Sequence, residues 1–199
     1  MTNKKQFLSD LVEIKNALVQ FLRHPMTEIK HIPDWDWRRL IFVQVMITAT
    51  TGALANLIER KTTLSVLSGI FISPILTLIT LMVSTLFFYY CFQIFAEKTV
   101  SLRRLFTVIL FANIPQFIFQ MISGYFSPAT LIGMGFTAFL LLVGFVENFS
   151  LNRKLVIRMI AALYTLFFCL WIWNRIATSR MDRSWNNETI EAPEVHLGE

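Results

Sequence analysis

Five long apolar stretches dominate the chain, and short segments rich in charged residues separate them. The stretches run over residues 40–57, 70–96, 105–123, 129–146 and 155–176. Because an α-helix rises about 1.5 Å per residue, about 20 apolar residues cross the ~30 Å hydrocarbon core of a bilayer. The pattern therefore predicts an all-α protein, an integral membrane bundle of five transmembrane helices.

The second stretch is longer than one crossing needs. Its apolar character begins near Leu64, and Pro74 lies close to its start. We expect an interfacial segment over 64–71, followed by a tilted span that is broken or kinked near Pro74. The alternative is a re-entrant pair of short half-spans.

A narrower apolar stripe precedes the first span. Its residues recur at spacings of four and three, as one face of a helix does: Phe7, Leu11, Ile14, Leu18 and Phe21. Two interpretations stay open. The stripe can belong to an amphipathic helix that lies among the headgroups or folds under the bundle, or it can form a docking helix for a partner protein.

The basic residues indicate how the chain is oriented. With a cytoplasmic amino terminus, the cytoplasmic segments carry 13 Lys and Arg residues and the opposite segments carry 5. Cytoplasmic loops of membrane proteins are enriched in Lys and Arg. The prediction is a cytoplasmic amphipathic helix and linker over 1–33, a transmembrane domain over 34–176, and a polar, disordered extracytoplasmic tail over 177–199. Anionic lipid headgroups account for the net charge of +5, so no nucleic-acid partner is expected.

Three carboxamides and a proline make the third stretch unusual. Asn113, Gln116 and Gln120 share one side of a helix, and Pro115 lies between them. Polar groups at membrane depth face other helices or a wet cavity, because lipid tails cannot satisfy their hydrogen bonds. These four residues are therefore either a hydrogen-bonded packing cluster or candidates that line a path for a lipid or small solute.

Signals for catalysis are missing from the sequence. It contains no His-Glu-x-x-His metal motif, no Gly-x-Ser-x-Gly motif and no glycine-rich phosphate loop. Charged residues within the spans are also scarce, which argues against a proton-coupled transporter. We predict a protein that is not an enzyme, with no cofactor and no metal site.

Several segments resemble the Yip (Ypt-interacting protein) family of five-span membrane proteins. These are Phe111-Ala-Asn-Ile-Pro115 in the third stretch, Ser150-Leu-Asn-Arg-Lys154 between the fourth and fifth, and Leu22-Arg-His-Pro-Met26 before the first. Eukaryotic members act in Golgi and endoplasmic reticulum trafficking and contact Rab-type GTPases. The chain lacks their Tyr-Gly-Pro-type motif and looks like a compact bacterial member of the inner (cytoplasmic) membrane.

The missing catalytic motifs and the missing buried charges favour a non-enzymatic membrane protein of the Yip type that organises protein partners or lipids. Its expected partners are membrane lipids and proteins on the cytoplasmic face, and a homo-oligomer is left open. The contact candidates on that face are the apolar stripe and four arginines: Arg38, Arg39, Arg103 and Arg104. A facilitator for a lipid or small solute, with its path along the third stretch, is the alternative function.

Overall fold

The computed structural model describes residues 2–58, 63–123, 125–126 and 128–190. The elements in these ranges are all helices, as the apolar periods predict: α1 (Thr2–Arg23), α2 (Pro25–Glu28), α3 (Trp37–Ile58), α4 (Thr63–Ala96), α5 (Leu102–Gln120), α6 (Ala129–Phe149) and α7 (Arg153–Ile190). Within this described part, four helices are long and apolar enough to cross a membrane: Trp37–Ile58, Val66–Ala96, Leu102–Gln120 and Ala129–Phe149.

The chain forms two compact units, residues 1–160 and 161–199. Helix α7 begins in the first unit and continues into the second. It contains the predicted fifth span, but several side chains there lie outside the described residues, so a fifth crossing stays a prediction. Of the tail predicted to be disordered, 177–190 is helical in α7, and 191–199 lie outside the described residues.

Helix α5 is the centre of the first unit. Residues 105–112 are eight consecutive buried positions, so every side of the helix is covered there. The helices α3, α4 and α6 supply most of that cover, and Phe21 of α1 and Trp35 pack against Phe111. An aromatic cluster adds to the core, since the Phe145 ring lies 4.8 Å from Phe88 and 5.1 Å from Phe92, measured between centroids. Such edge-on pairs stabilise the core beyond the apolar area that they bury.

Helix α4 has no break near Pro74, and a kink there, the other form of the expectation, stays a prediction. It is one continuous helix from Thr63 to Ala96, with Pro74 inside it. The broken span and the re-entrant pair both need a non-helical segment near Pro74, and the backbone has none there. Large apolar side chains cover its outer faces, including Phe71, Ile75 and Val83, each more than half exposed. In a bilayer these faces are solvated by lipid tails rather than water.

Candidate functional site

The first unit has two ends, which we name by their residues. The basic end carries α2, the linker 29–36 and the connections 97–101 and 150–152. The hairpin end is where α3 finishes and α4 begins, and where the connection 121–128 joins α5 to α6. The basic end holds the four predicted contact arginines, and the hairpin end holds Gln120 of the predicted path.

A polar cavity of about 220 Å³ lies between α3, α4 and α5 at the hairpin end. We call it the α3–α5 cavity. Its polar side chains are uncharged hydroxyls and carboxamides: Thr48, Thr51, Asn56, Ser73, Thr77, Gln120 and Ser123. Five of these seven side chains already donate to backbone carbonyls. The lone pairs that they leave in the cavity favour its occupation by a polar group.

Two facing glycines bring the walls of the cavity together. A Cβ added to Gly52 would lie 2.6 Å from the carbonyl oxygen of Gly69, and one added to Gly69 would lie 2.7 Å from the Gly52 oxygen. Only glycines allow the backbones of α3 and α4 to approach this closely, as small residues do at helix crossings in lipid. Both glycines line the cavity.

A buried glutamine lies one turn from the cavity toward the basic end. Gln44 is fully buried, and its Nε2 donates to Thr48 Oγ1 at 3.3 Å and to the Pro74 carbonyl at 3.1 Å. Beyond it α5 is covered on all sides at 105–112. These buried residues lie between the cavity and the basic end.

The cavity widens sideways between apolar side chains of α4. A second, more open space of about 600 Å³ shares Asn56, Ser73 and Gln120 with it and extends past Leu64, Ile72 and Leu76. These three α4 side chains are 80%, 53% and 59% exposed. The opening thus connects the polar α3–α5 cavity to the apolar surface of α4, which lipid tails cover in a bilayer.

The structure separates the three carboxamides predicted on the third span. Gln120 lines the α3–α5 cavity. Asn113 Nδ2 donates to the Ile109 carbonyl at 2.7 Å, within its own helix. The Gln116 backbone packs against Gly133 of α6, since a Cβ there would lie 3.1 Å from Gln116 Cα. Pro115 is half-buried inside a continuous α5, so only one of the four path candidates lies at the cavity.

Several cavity residues were outside the predicted site. Asn56, Ser73 and Ser123 belong to no sequence motif, and they lie far from one another along the chain. The sequence did indicate Asn56, because it follows Thr48 and Gly52 at intervals of four residues, which places all three on one side of α3.

The stripe on α1 faces the bundle at two of the four positions whose side chains the structure describes. Ile14 and Phe21 are buried, and the Phe21 ring lies edge-on to Phe111 of α5 at 5.2 Å. Leu11 and Leu18 are half-buried, and the side chain of Phe7 lies outside the described residues.

Ion pairs connect the amino-terminal segment to the bundle. Arg103 Nη2 lies 2.8 Å from Asp34 Oδ1, and Arg39 Nη1 lies 3.3 Å from Glu13 Oε2. Farther along, Lys30 Nζ lies 3.6 Å from Glu147 Oε1. These pairs place α1 and the linker across the basic end.

Hydrogen bonds to the same segment reinforce the ion pairs. Asn148 Nδ2 donates to the buried Ile29 carbonyl at 2.7 Å, and Trp35 Nε1 donates to Glu13 at 3.3 Å. The Trp35 ring is itself buried against Phe111. The segment is therefore packed as well as charge-paired.

The four predicted contact arginines divide into two classes. Arg39 and Arg103 are half-buried and lie against acidic side chains. Arg38 and Arg104 are exposed and, in the part of the chain that the structure describes, have no acidic partner within 4.0 Å. The acidic groups Glu13, Asp34 and Glu147 are each used in a pair. Arg38 and Arg104 stay exposed, and the exposed Glu97 lines the same groove as Arg104.

A family model for the Yip1 domain matches residues 19–174, most of the chain and nearly all of its apolar stretches. No curated protein matches significantly. No solved structure does so either. The extent of the family match, together with four helices able to cross a membrane, shows that the chain belongs to the Yip family of multi-pass membrane proteins.

Proposed function

We propose that this protein is a non-enzymatic scaffold that organises protein partners or lipids at the cytoplasmic face of a bacterial inner membrane. In this proposal the amino terminus is cytoplasmic, so the basic end meets the anionic leaflet and the cytosol. The carboxyl terminus is then extracytoplasmic, as five crossings require.

The observation that carries the proposal is the fixed amino-terminal segment. Its residues Glu13 and Asp34 are paired with bundle cations, while Arg38 and Arg104 stay exposed. A pre-organised cationic surface attracts anionic headgroups, at about 1 kcal/mol per basic residue near the membrane, or an acidic segment of a partner.

The test is site-specific photo-crosslinking from position Thr99, which lines the same surface groove as Arg104. In cells, the full chain is expected to give discrete protein or lipid adducts. The double reversal Arg38→Glu/Arg104→Glu should remove them, because it replaces attraction by repulsion. The matched control Arg38→Lys/Arg104→Lys keeps the charge and should keep the adducts.

A second probe position separates specific contacts from lipid background. Ile79 on α4 is 55% exposed on the apolar face and should give only generic lipid adducts. Adducts from Thr99 that match those from Ile79, or that survive the charge reversal, contradict the scaffold proposal.

The second candidate function is a facilitator for a lipid or small solute past the third-span amides. Its support is Gln120, which lines the polar cavity. A continuous path would require the covered half of α5, 105–112, to rearrange. Substituting Gln116 and Gln120 by Leu should abolish flux into reconstituted vesicles while the protein stays folded, and unchanged flux eliminates this function.

A further inference from the structure

We propose that the α3–α5 cavity is a binding site for the polar end of a membrane lipid whose headgroup carries hydrogen-bond donors, either hydroxyls or a primary ammonium. The site lies at the hairpin end, so it does not rest on the scaffold role of the basic end. The lipid enters the cavity laterally from the bilayer, and its acyl chains stay in one leaflet.

The shape of the space indicates an amphiphile. The interior is polar and its lateral opening is bordered by exposed Leu64, Ile72 and Leu76. A volume of about 220 Å³ lies below the ~300–1,000 Å³ typical of sites that enclose a drug-sized molecule. The cavity therefore suits a headgroup, while the acyl chains lie outside along α4.

The hydrogen bonds of the walls determine which headgroup fits. Thr51 Oγ1 donates to the Ile47 carbonyl at 2.9 Å, and Thr77 Oγ1 donates to the Ser73 carbonyl at 2.8 Å. Asn56 Nδ2 donates to the Gly52 carbonyl at 2.9 Å. A hydroxyl has one proton but two lone pairs, and a carboxamide oxygen also accepts. The single hydroxyl protons of Thr51 and Thr77 are used by the backbone, so these two side chains offer the cavity acceptor oxygens. The Asn56 carboxamide adds its oxygen and one further N–H.

Ser123 repeats the pattern, because its Oγ donates to the Gln120 carbonyl at 2.8 Å. The lining residues carry no charge, so the walls provide no cation for a phosphate. The hydroxyl oxygens of Thr51, Thr77 and Ser123, whose protons are all used, pair best with a group rich in donors. Ethanolamine and glycerol headgroups have such groups, whereas the quaternary ammonium of choline has no N–H or O–H.

The experiment is native mass spectrometry of the full-length protein with equal amounts of phosphatidylethanolamine, phosphatidylglycerol and phosphatidylcholine. Phosphatidylethanolamine carries ammonium donors and phosphatidylglycerol carries hydroxyl donors. Comparing their retention therefore shows which donor the cavity binds. We expect one or both to be retained and phosphatidylcholine to be lost. Equal retention of phosphatidylcholine overturns the proposal, and this comparison needs no variant.

The site itself is tested by Thr51→Val/Thr77→Val, which keeps the side-chain shape and removes two acceptor oxygens. At the usual net strength of a hydrogen bond, binding should weaken about tenfold. The matched control is Thr50→Val/Thr80→Val, on the same two helices. Thr50 and Thr80 make the same type of backbone bond, at 2.7 Å and 2.9 Å, but are exposed outside the cavity. Equal effects of both pairs overturn the assignment to this cavity.

Discussion

At the scale of single residues, glycines decide how closely the helices of this bundle approach. At Gly52 a hydrogen atom stands where any other residue would have its Cβ, and that Cβ would clash with backbone atoms of α4. Backbone atoms cannot turn aside as the end of a flexible side chain can, so the site tolerates no added carbon without a shift of one helix. Gly135, on α6, has nothing within 4 Å of the equivalent position.

Gly52→Ala is therefore expected to destabilise the protein by about 1–3 kcal/mol, the usual cost of overpacking a well-filled contact. Gly135→Ala is the control and should leave stability unchanged or slightly raised, because alanine is the better helix former. Thermal unfolding of the full chain in detergent measures both. Equal melting temperatures for the two variants would show that the α3–α4 contact gives way easily.

A lysine has a comparable local role at the basic end. Lys98 Nζ donates to the carbonyls of Phe149 and Ser150, at 3.1 Å and 2.7 Å. These carbonyls end α6, where the helix leaves acceptors without internal partners. We expect Lys98→Met to reduce stability by about 0.5–1.5 kcal/mol and to speed amide hydrogen exchange in the last turn of α6. Lys154→Met removes an exposed lysine on α7 and should change neither; equal effects would refute the capping role.

At the scale of elements, apolar length located the four candidate spans well. The predicted stretches 40–57 and 129–146 correspond to helices Trp37–Ile58 and Ala129–Phe149. The ends differ because helices continue through interfacial residues that hydropathy does not register. The expected break near Pro74 is absent, since a helix in lipid can lose one backbone bond and have it compensated by its surroundings. Pairing between distant elements, such as Asp34 with Arg103, leaves no periodic signal and could not be predicted.

That ion pair provides a test of how the amino-terminal segment is held. Asp34→Arg or Arg103→Asp alone should lower stability by up to about 1 kcal/mol, because Asp34 is 74% exposed and water screens the pair. The double exchange Asp34→Arg/Arg103→Asp restores opposite charges and should recover most of the loss. The measurement is a double-mutant cycle by thermal unfolding at low salt. Losses that simply add in the double variant would show that the two side chains do not interact.

At the scale of the whole molecule, the two ends of the first unit have different chemistry. The basic end holds ion pairs and exposed arginines, whereas the cavity at the hairpin end has an uncharged polar lining. The positive-inside bias predicts that the basic end is cytoplasmic. The sequence alone predicts this asymmetry and names Gln120 as a candidate residue. It does not predict the cavity, which forms where three helices that are separated along the chain come together.

The orientation follows from this asymmetry and can be measured directly. In a chain with Cys91 and Cys169 replaced by Ala, we introduce Thr99→Cys at the basic end or Phe126→Cys at the hairpin end; both natural residues are exposed. A membrane-impermeant thiol reagent should label Phe126→Cys in intact bacterial cells and Thr99→Cys only after permeabilisation. The opposite pattern would place the basic end outside the cytoplasm. Arg38 and Arg104 could then contact neither the anionic leaflet nor cytosolic partners. That result would refute the scaffold proposal.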